Sequence, residues 1–185
     1  MRGTTTAFPD YELYSTPHLL AAFGAGPARL RASLAGLGED ELCARPRGPA
    51  TWSIHDIVLH VADSELQGSF RIRKVWSESG ARLPGYDQDA WARALDYRQS
   101  DAAARELALV LFAALREQST ALLASAQVED WRKSGVHPDY GPITLRNLLE
   151  LYADHSERHV EQVLACRRLL GRELEIEPLL ARRLY

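Results

Sequence analysis

The stretch TLRNLLELYADHSERHVEQVLACRRLLG, residues 144–171, decides the architecture. Leu145, Leu148, Leu149, Tyr152, Val160, Val163 and Cys166 recur at mostly three- and four-residue spacings, the signature of a helix with one apolar stripe. Thr144 is a good N-cap and Gly171 a good stop, so the spacing predicts a helix over residues 144–170. Turned at about 100° per residue, His155 and His159 fall on that stripe and share one face. Imidazoles turned toward a helical interior must hydrogen-bond, titrate or hold a ligand.

Upstream of this segment the same periodicity recurs. Ser15-Thr16-Pro17 reads as a helix start, followed by Leu19, Leu20, Phe23, Leu30, Leu34 and Leu37. Gly24 and Gly26-Pro27 are expected to kink or split this first helix, and Gly36 and Gly38 to end it. Arg45 to Pro49 is punctuated as a loop. Thr51 or Ser53 can cap a second long helix, with Ile54, Ile57, Val58, Val61, Ile72, Val75 and Trp76 on one side. Leu59, Leu66 and Phe70 make a second apolar strip on it, which calls for a further neighbour within the bundle or across a dimer interface. A turn of helix near residues 90–95, a third long helix over 102–126 and a loop over 134–142 complete the reading, with no convincing alternating strand. The expected fold is all-α: a four-helix bundle with long connections and a short C-terminal tail, residues 1–185 forming a single domain.

Composition narrows the function classes. The chain has 185 residues, 46% hydrophobic and 25% charged, with a formal net charge of −3. Such a composition supports a packed core and offers no cationic excess for phosphates, which argues against nucleic acid as a partner. Cys43 and Cys166 form no disulfide framework or Cys-rich metal motif. The first ten residues do not read as a secretory signal, and no stretch approaches 18 uninterrupted apolar residues, so the expectation is a cytoplasmic protein without a membrane partner.

Spacing alone leaves the His155/His159 pair open between ordinary interior histidines and ligands closing on one cation, which would need a third donor from elsewhere. His60, one turn after Ile57 at the flank of the apolar face, is either that donor or an interfacial histidine. His55, His18 and His137 fit less well and read as structural or surface residues. A zincin would need Glu directly after the first histidine of the pair, where this chain has Ser156. Gly-x-Ser-x-Gly and a Gly-rich phosphate loop are also missing.

Four segments carry a resemblance. TWSIHDIVLHVADS (51–64) resembles the second helix of the DinB-like superfamily, and more narrowly its YfiT-type subgroup of metal-dependent hydrolases and bacillithiol S-transferases. PGYDQDAW (84–91), EDW (129–131) through His137-Pro138, and ITL (143–145) through His155 and His159 are similar to that subgroup in the same order. The resemblance implies a homodimeric four-helix bundle with one divalent ion, zinc or nickel, on His60, His155 and His159, and it assigns no catalytic residue beyond that metal site.

Three neutral imidazoles would leave an ion at least one open position, suited to activating a thiol or a water. The resemblance tips this toward transfer of a low-molecular-weight thiol to an electrophile, with the small-molecule thiol and electrophile as the expected partners. Metal-dependent hydrolysis and a non-catalytic metal-containing bundle are the alternatives. Asp63, Asp154, Glu157 and Glu65 are candidate supports for the imidazoles, and Tyr86, Trp91 and Tyr152 candidate pocket walls.

Overall fold

The long helices form where the apolar spacing places them, and each starts at a side chain that caps it. The computed structural model describes Tyr11, residues 13–45 and residues 52–181. Helix α1 (Thr16–Ser33) is capped by Ser15, α3 (Ile54–Ser77) by a Ser53–Asp56 capping box, α5 (Ala102–Ala124) by Asp101, and α6 (Leu145–Leu169) by a Thr144–Asn147 box. The alternative cap at Thr51 and most of the loop at 45–49 lie outside the described residues. Two short helices, α2 (Glu39–Cys43) and α4 (Gln88–Ala94), sit in the connections.

Two expectations are corrected. Helix α1 is not split: it runs unbroken through Pro27. Proline removes the N–H that would reach the carbonyl four residues back. That carbonyl belongs to Phe23, and Arg116 Nη1 of α5 donates to it at 2.7 Å, replacing the lost partner. The second correction is the loop at 134–142, which holds a small antiparallel hairpin, β1 (Ser134–His137) with β2 (Gly141–Thr144). Gly141 turns with φ +72°, in the left-handed region that glycine tolerates.

The main packing pairs run in a ring, α1 against α6, α6 against α3, α3 against α5, and α5 back to α1. Helix α3 therefore lies alongside α6 although α4 and α5 intervene in the chain. The apolar core comes in two parts. One gathers Leu19, Phe23, Ile72, Val75, Leu148 and Leu149; the other gathers Leu30, Ile57, Val61, Phe112, Val160 and Val163. Along α3 and α6 the two parts are separated by a polar segment containing Glu65, Ser156, His155 and His159.

Candidate metal centre

Helix α3 turns His60 inward, leaving it 1% exposed, while α6 presents the half-buried His155 and His159 one turn apart. The α3–α6 contact brings all three rings together. His60 Nε2 lies 3.3 Å from His155 Nε2, and His159 Nε2 lies 3.1 Å from the same atom. Tetrahedral coordination at ordinary zinc–imidazole distances separates donor nitrogens by about 3.3–3.4 Å, so the donor set fits a divalent ion. The structure thus brings together the three histidines that the resemblance pointed to.

Burial makes these imidazoles poor hosts for a proton. Desolvation, reinforced by the neighbouring His159, pushes the pKa of His60 down to about 3. His155 is held well below the usual histidine range, first by burial and then by His159, His60, Arg116 and Arg158. Both therefore favour the neutral form that can donate to a cation. His60 packs against Trp52, with ring centroids 4.6 Å apart. Its Nδ1 is buried without a hydrogen-bond partner among the described residues. By contrast, His159 Nδ1 meets Gln162 Oε1 at 2.9 Å.

The four carboxylates considered as supports are engaged elsewhere. Asp63 accepts from the Tyr97 hydroxyl, and burial raises its pKa. Asp154 accepts from Tyr11 and pairs with Arg158; Glu157 pairs with Arg29. Glu65 makes a two-pronged ion pair with Arg116, both nearly inaccessible to solvent. The residue missed is Gln162, a neutral amide three positions after His159. Its i, i+3 placement was a usable signal.

Tyr86 and Trp91 pack edge to face at 5.0 Å, and Tyr152 lies 6.3 Å from His155 by ring centroid. Arg71 donates to the Tyr152 hydroxyl at 2.7 Å, and burial pushes that phenol up to about 12. Gly68 makes room for this ring: a Cβ there would lie 2.6 Å from it.

The histidines outside the triad have protein partners. His18 Nε2 meets the Leu179 carbonyl, and His137 Nδ1 accepts from Asp139 N. His55 lies between Ser100 and Arg105. With Glu39 and Cys43 it makes a second cluster of possible donors, but Arg105 already supplies the cation there, pairing with Glu39 at 2.6 Å.

Known proteins match this chain along most of its length. The sequence profile of the DinB superfamily matches residues 22–163. A Bacillus licheniformis protein, provisionally named a metal-dependent hydrolase, is 30% identical over 146 residues, covering 78% of this chain and 81% of the relative. Bacillus subtilis YfiT, named in the same way, is 28% identical over 146 residues, covering 78% of this chain and 80% of its own. The solved structure of that YfiT protein is described as a probable metal-dependent hydrolase with an unusual four-helix bundle topology. It matches with a TM-score of 0.78 at 26% identity, covering 88% of this chain and 93% of that one.

Proposed function

This chain belongs to the DinB superfamily, and on that premise we propose that it is a metal-dependent enzyme transferring a low-molecular-weight thiol to an electrophile. The observation that carries the metal reading is the convergence of three Nε2 atoms from α3 and α6. His60, His155 and His159 would hold the ion, zinc or nickel, both of which suit imidazole. When bound, such an ion supplies a Lewis acid with an open position.

A cation on three neutral imidazoles could activate either a thiol or a water, and the likeness of residues 51–64 and 84–91 to the transferase-containing subgroup supports the thiol. Asp63, Asp154, Glu157 and Glu65 are each committed to another partner, so none stands by as a separate base. A thiol, with an ordinary pKa of about 8.5, needs far less help. Trp52 packs on one side of the His60 ring. Hydrolysis is the second reading, favoured by the names of the relatives.

Elemental analysis of untagged protein tests the metal reading. One divalent ion per chain is expected, and its loss in His159→Ala. Wild-type protein that takes up neither zinc nor nickel overturns it. Conjugation of a model electrophile that requires added thiol supports transfer, while ester cleavage without thiol supports hydrolysis instead.

The proposal includes a homodimer formed through the outer face of α3 and α5. Phe70 is 49% exposed, Leu107 69% and Val110 58%, and Leu66 and Leu111 are also exposed. Helix α5 is strongly apolar, yet only about a third of its most apolar stretch is buried. By length and composition such a helix could cross a membrane. Its packing against α1 and α3, with Arg116 paired inside the bundle, supports a bundle helix instead. Two adjacent helices about 35 Å long and about 10 Å apart present roughly 700 Å², near the 800 Å² per partner of a standard interface.

A further inference from the structure

We infer that Gln162 is a positioning residue of the metal centre: it fixes which nitrogen of His159 carries the proton, and so keeps Nε2 available to the ion. This rests on the reading of the three histidines as metal ligands. A neutral imidazole has one N–H and one lone pair. The three rings face one another through Nε2, with Nε2 separations of 3.3 and 3.1 Å to His155. For His159 to offer a lone pair there, its proton must sit on Nδ1. A proton on Nδ1 needs an acceptor, and Gln162 Oε1 stands 2.9 Å away.

Helix geometry makes this contact local. Residues three apart on a helix are neighbours, so Gln162 needs no tertiary contact to reach His159. The acceptor is in place whether or not α3 has closed over the site. His60 lacks such help, because its Nδ1 is buried without a hydrogen-bond partner among the described residues. Its ring is held by packing against Trp52. The triad is therefore uneven: His159 is oriented by a hydrogen bond within its own helix, and His60 by shape. The acceptor is also neutral. An amide oxygen selects the tautomer without adding negative charge to the site, as a carboxylate in the same place would.

The alternative is that Gln162 merely lines the surface of α6, or that its amide presents Nε2 and donates. Donation to Nδ1 would place the imidazole proton on Nε2, where it blocks coordination. Two measurements on the full chain separate these cases. Long-range proton–nitrogen NMR of the metal-free protein reads the tautomer of each histidine. Competition with a chromogenic chelator reads zinc affinity. Wild-type His159 is expected as the Nδ1–H tautomer. Gln162→Met, similar in length but without an acceptor, is expected to mix the tautomers and weaken zinc binding about 10- to 100-fold. Its helical content and melting temperature should stay close to wild type. Gln162→Glu restores an acceptor and should return the tautomer and recover zinc affinity to within a few-fold.

An Nε2–H tautomer in the wild type overturns the inference. So does zinc affinity in Gln162→Met equal to that of the wild type. Should wild-type protein take up no zinc at all, the metal reading itself fails, and this inference with it. Zinc uptake that depends on His159 but is indifferent to Gln162 defeats the inference alone.

Discussion

Burial sets the charge of two of the three central imidazoles, and this makes the metal-free protein sensitive to acid. His60 falls from an ordinary value of 6.5 to about 3 on folding, and His155 moves in the same direction. Between those values the unfolded chain binds more protons than the folded one, so stability rises with pH. The contribution of neutral His60 is complete above the unfolded value and is lost as pH falls from about 6.5 toward 3, by up to about 1.4 kcal/mol per pH unit, and His155 acts in the same direction. Urea unfolding of metal-stripped protein between pH 7 and pH 4 should show this slope, and His60→Gln should flatten it. An unchanged slope in that variant would show that His60 titrates normally. At this scale the sequence was informative where one helix carries the pattern. His155 and His159 stand four apart on a single apolar stripe, whereas His60 reaches them only through the packing of α3 on α6. Of the four carboxylates near the histidines in sequence, ion pairs with Arg116, Arg29 and Arg158 take up three. The pairs of Glu65 and Glu157 are tertiary, and spacing does not encode them; Asp154 with Arg158 is an i, i+4 pair that spacing could have shown.

Between elements, small residues decide how closely the helices approach. Gly68 sits under the Tyr152 ring, and Gly26 faces Ser156 Oγ, where an added Cβ would come within 2.9 Å. Gly68→Ala should gain up to about 1 kcal/mol of helix propensity. Overpacking against the ring, about 1–3 kcal/mol, should outweigh that gain and lower the melting temperature. A melting temperature at or above wild type would mean that Tyr152 moves aside freely. Helix extents were legible because cap and period agree, as at Ser53–Asp56 and Thr144–Asn147. Two features were not. The continuity of α1 through Pro27 depends on a guanidinium far away in the chain. The hairpin strands are four residues each, too short for alternation to stand out, and one contains Pro142.

For the whole molecule, the Glu65–Arg116 pair ties the bundle together at its middle. Arg116 Nη1 reaches Phe23 of α1 and Nη2 reaches the Tyr152 carbonyl of α6, while Glu65 belongs to α3. Removing one partner strands the other charge inside, so Arg116→Met should cost about 3–5 kcal/mol, read from denaturant unfolding. A loss under about 1 kcal/mol would mean that solvent reaches Glu65 readily. The outer face of α3 and α5 carries the other prediction at this scale. Light scattering should give a dimer for the wild type and a monomer for Leu107→Glu with Val110→Glu, since like charges brought together in an apolar interface are costly. A monomeric wild type would remove the dimer from the proposal. The bundle class was readable from helix number and spacing. The ring of neighbours was not, because apolar stripes say that a face is covered and leave open by which helix.

The bond from Arg116 to the Phe23 carbonyl also bears on assembly. A chain emerging from the ribosome exposes the proline-bearing segment long before residue 116 is made. Until that arginine arrives, the first helix has a vacant acceptor in its backbone ladder, and water must fill it. Fragments ending before residue 116 should therefore form this helix incompletely, which makes it a late recruit to the structure it belongs to.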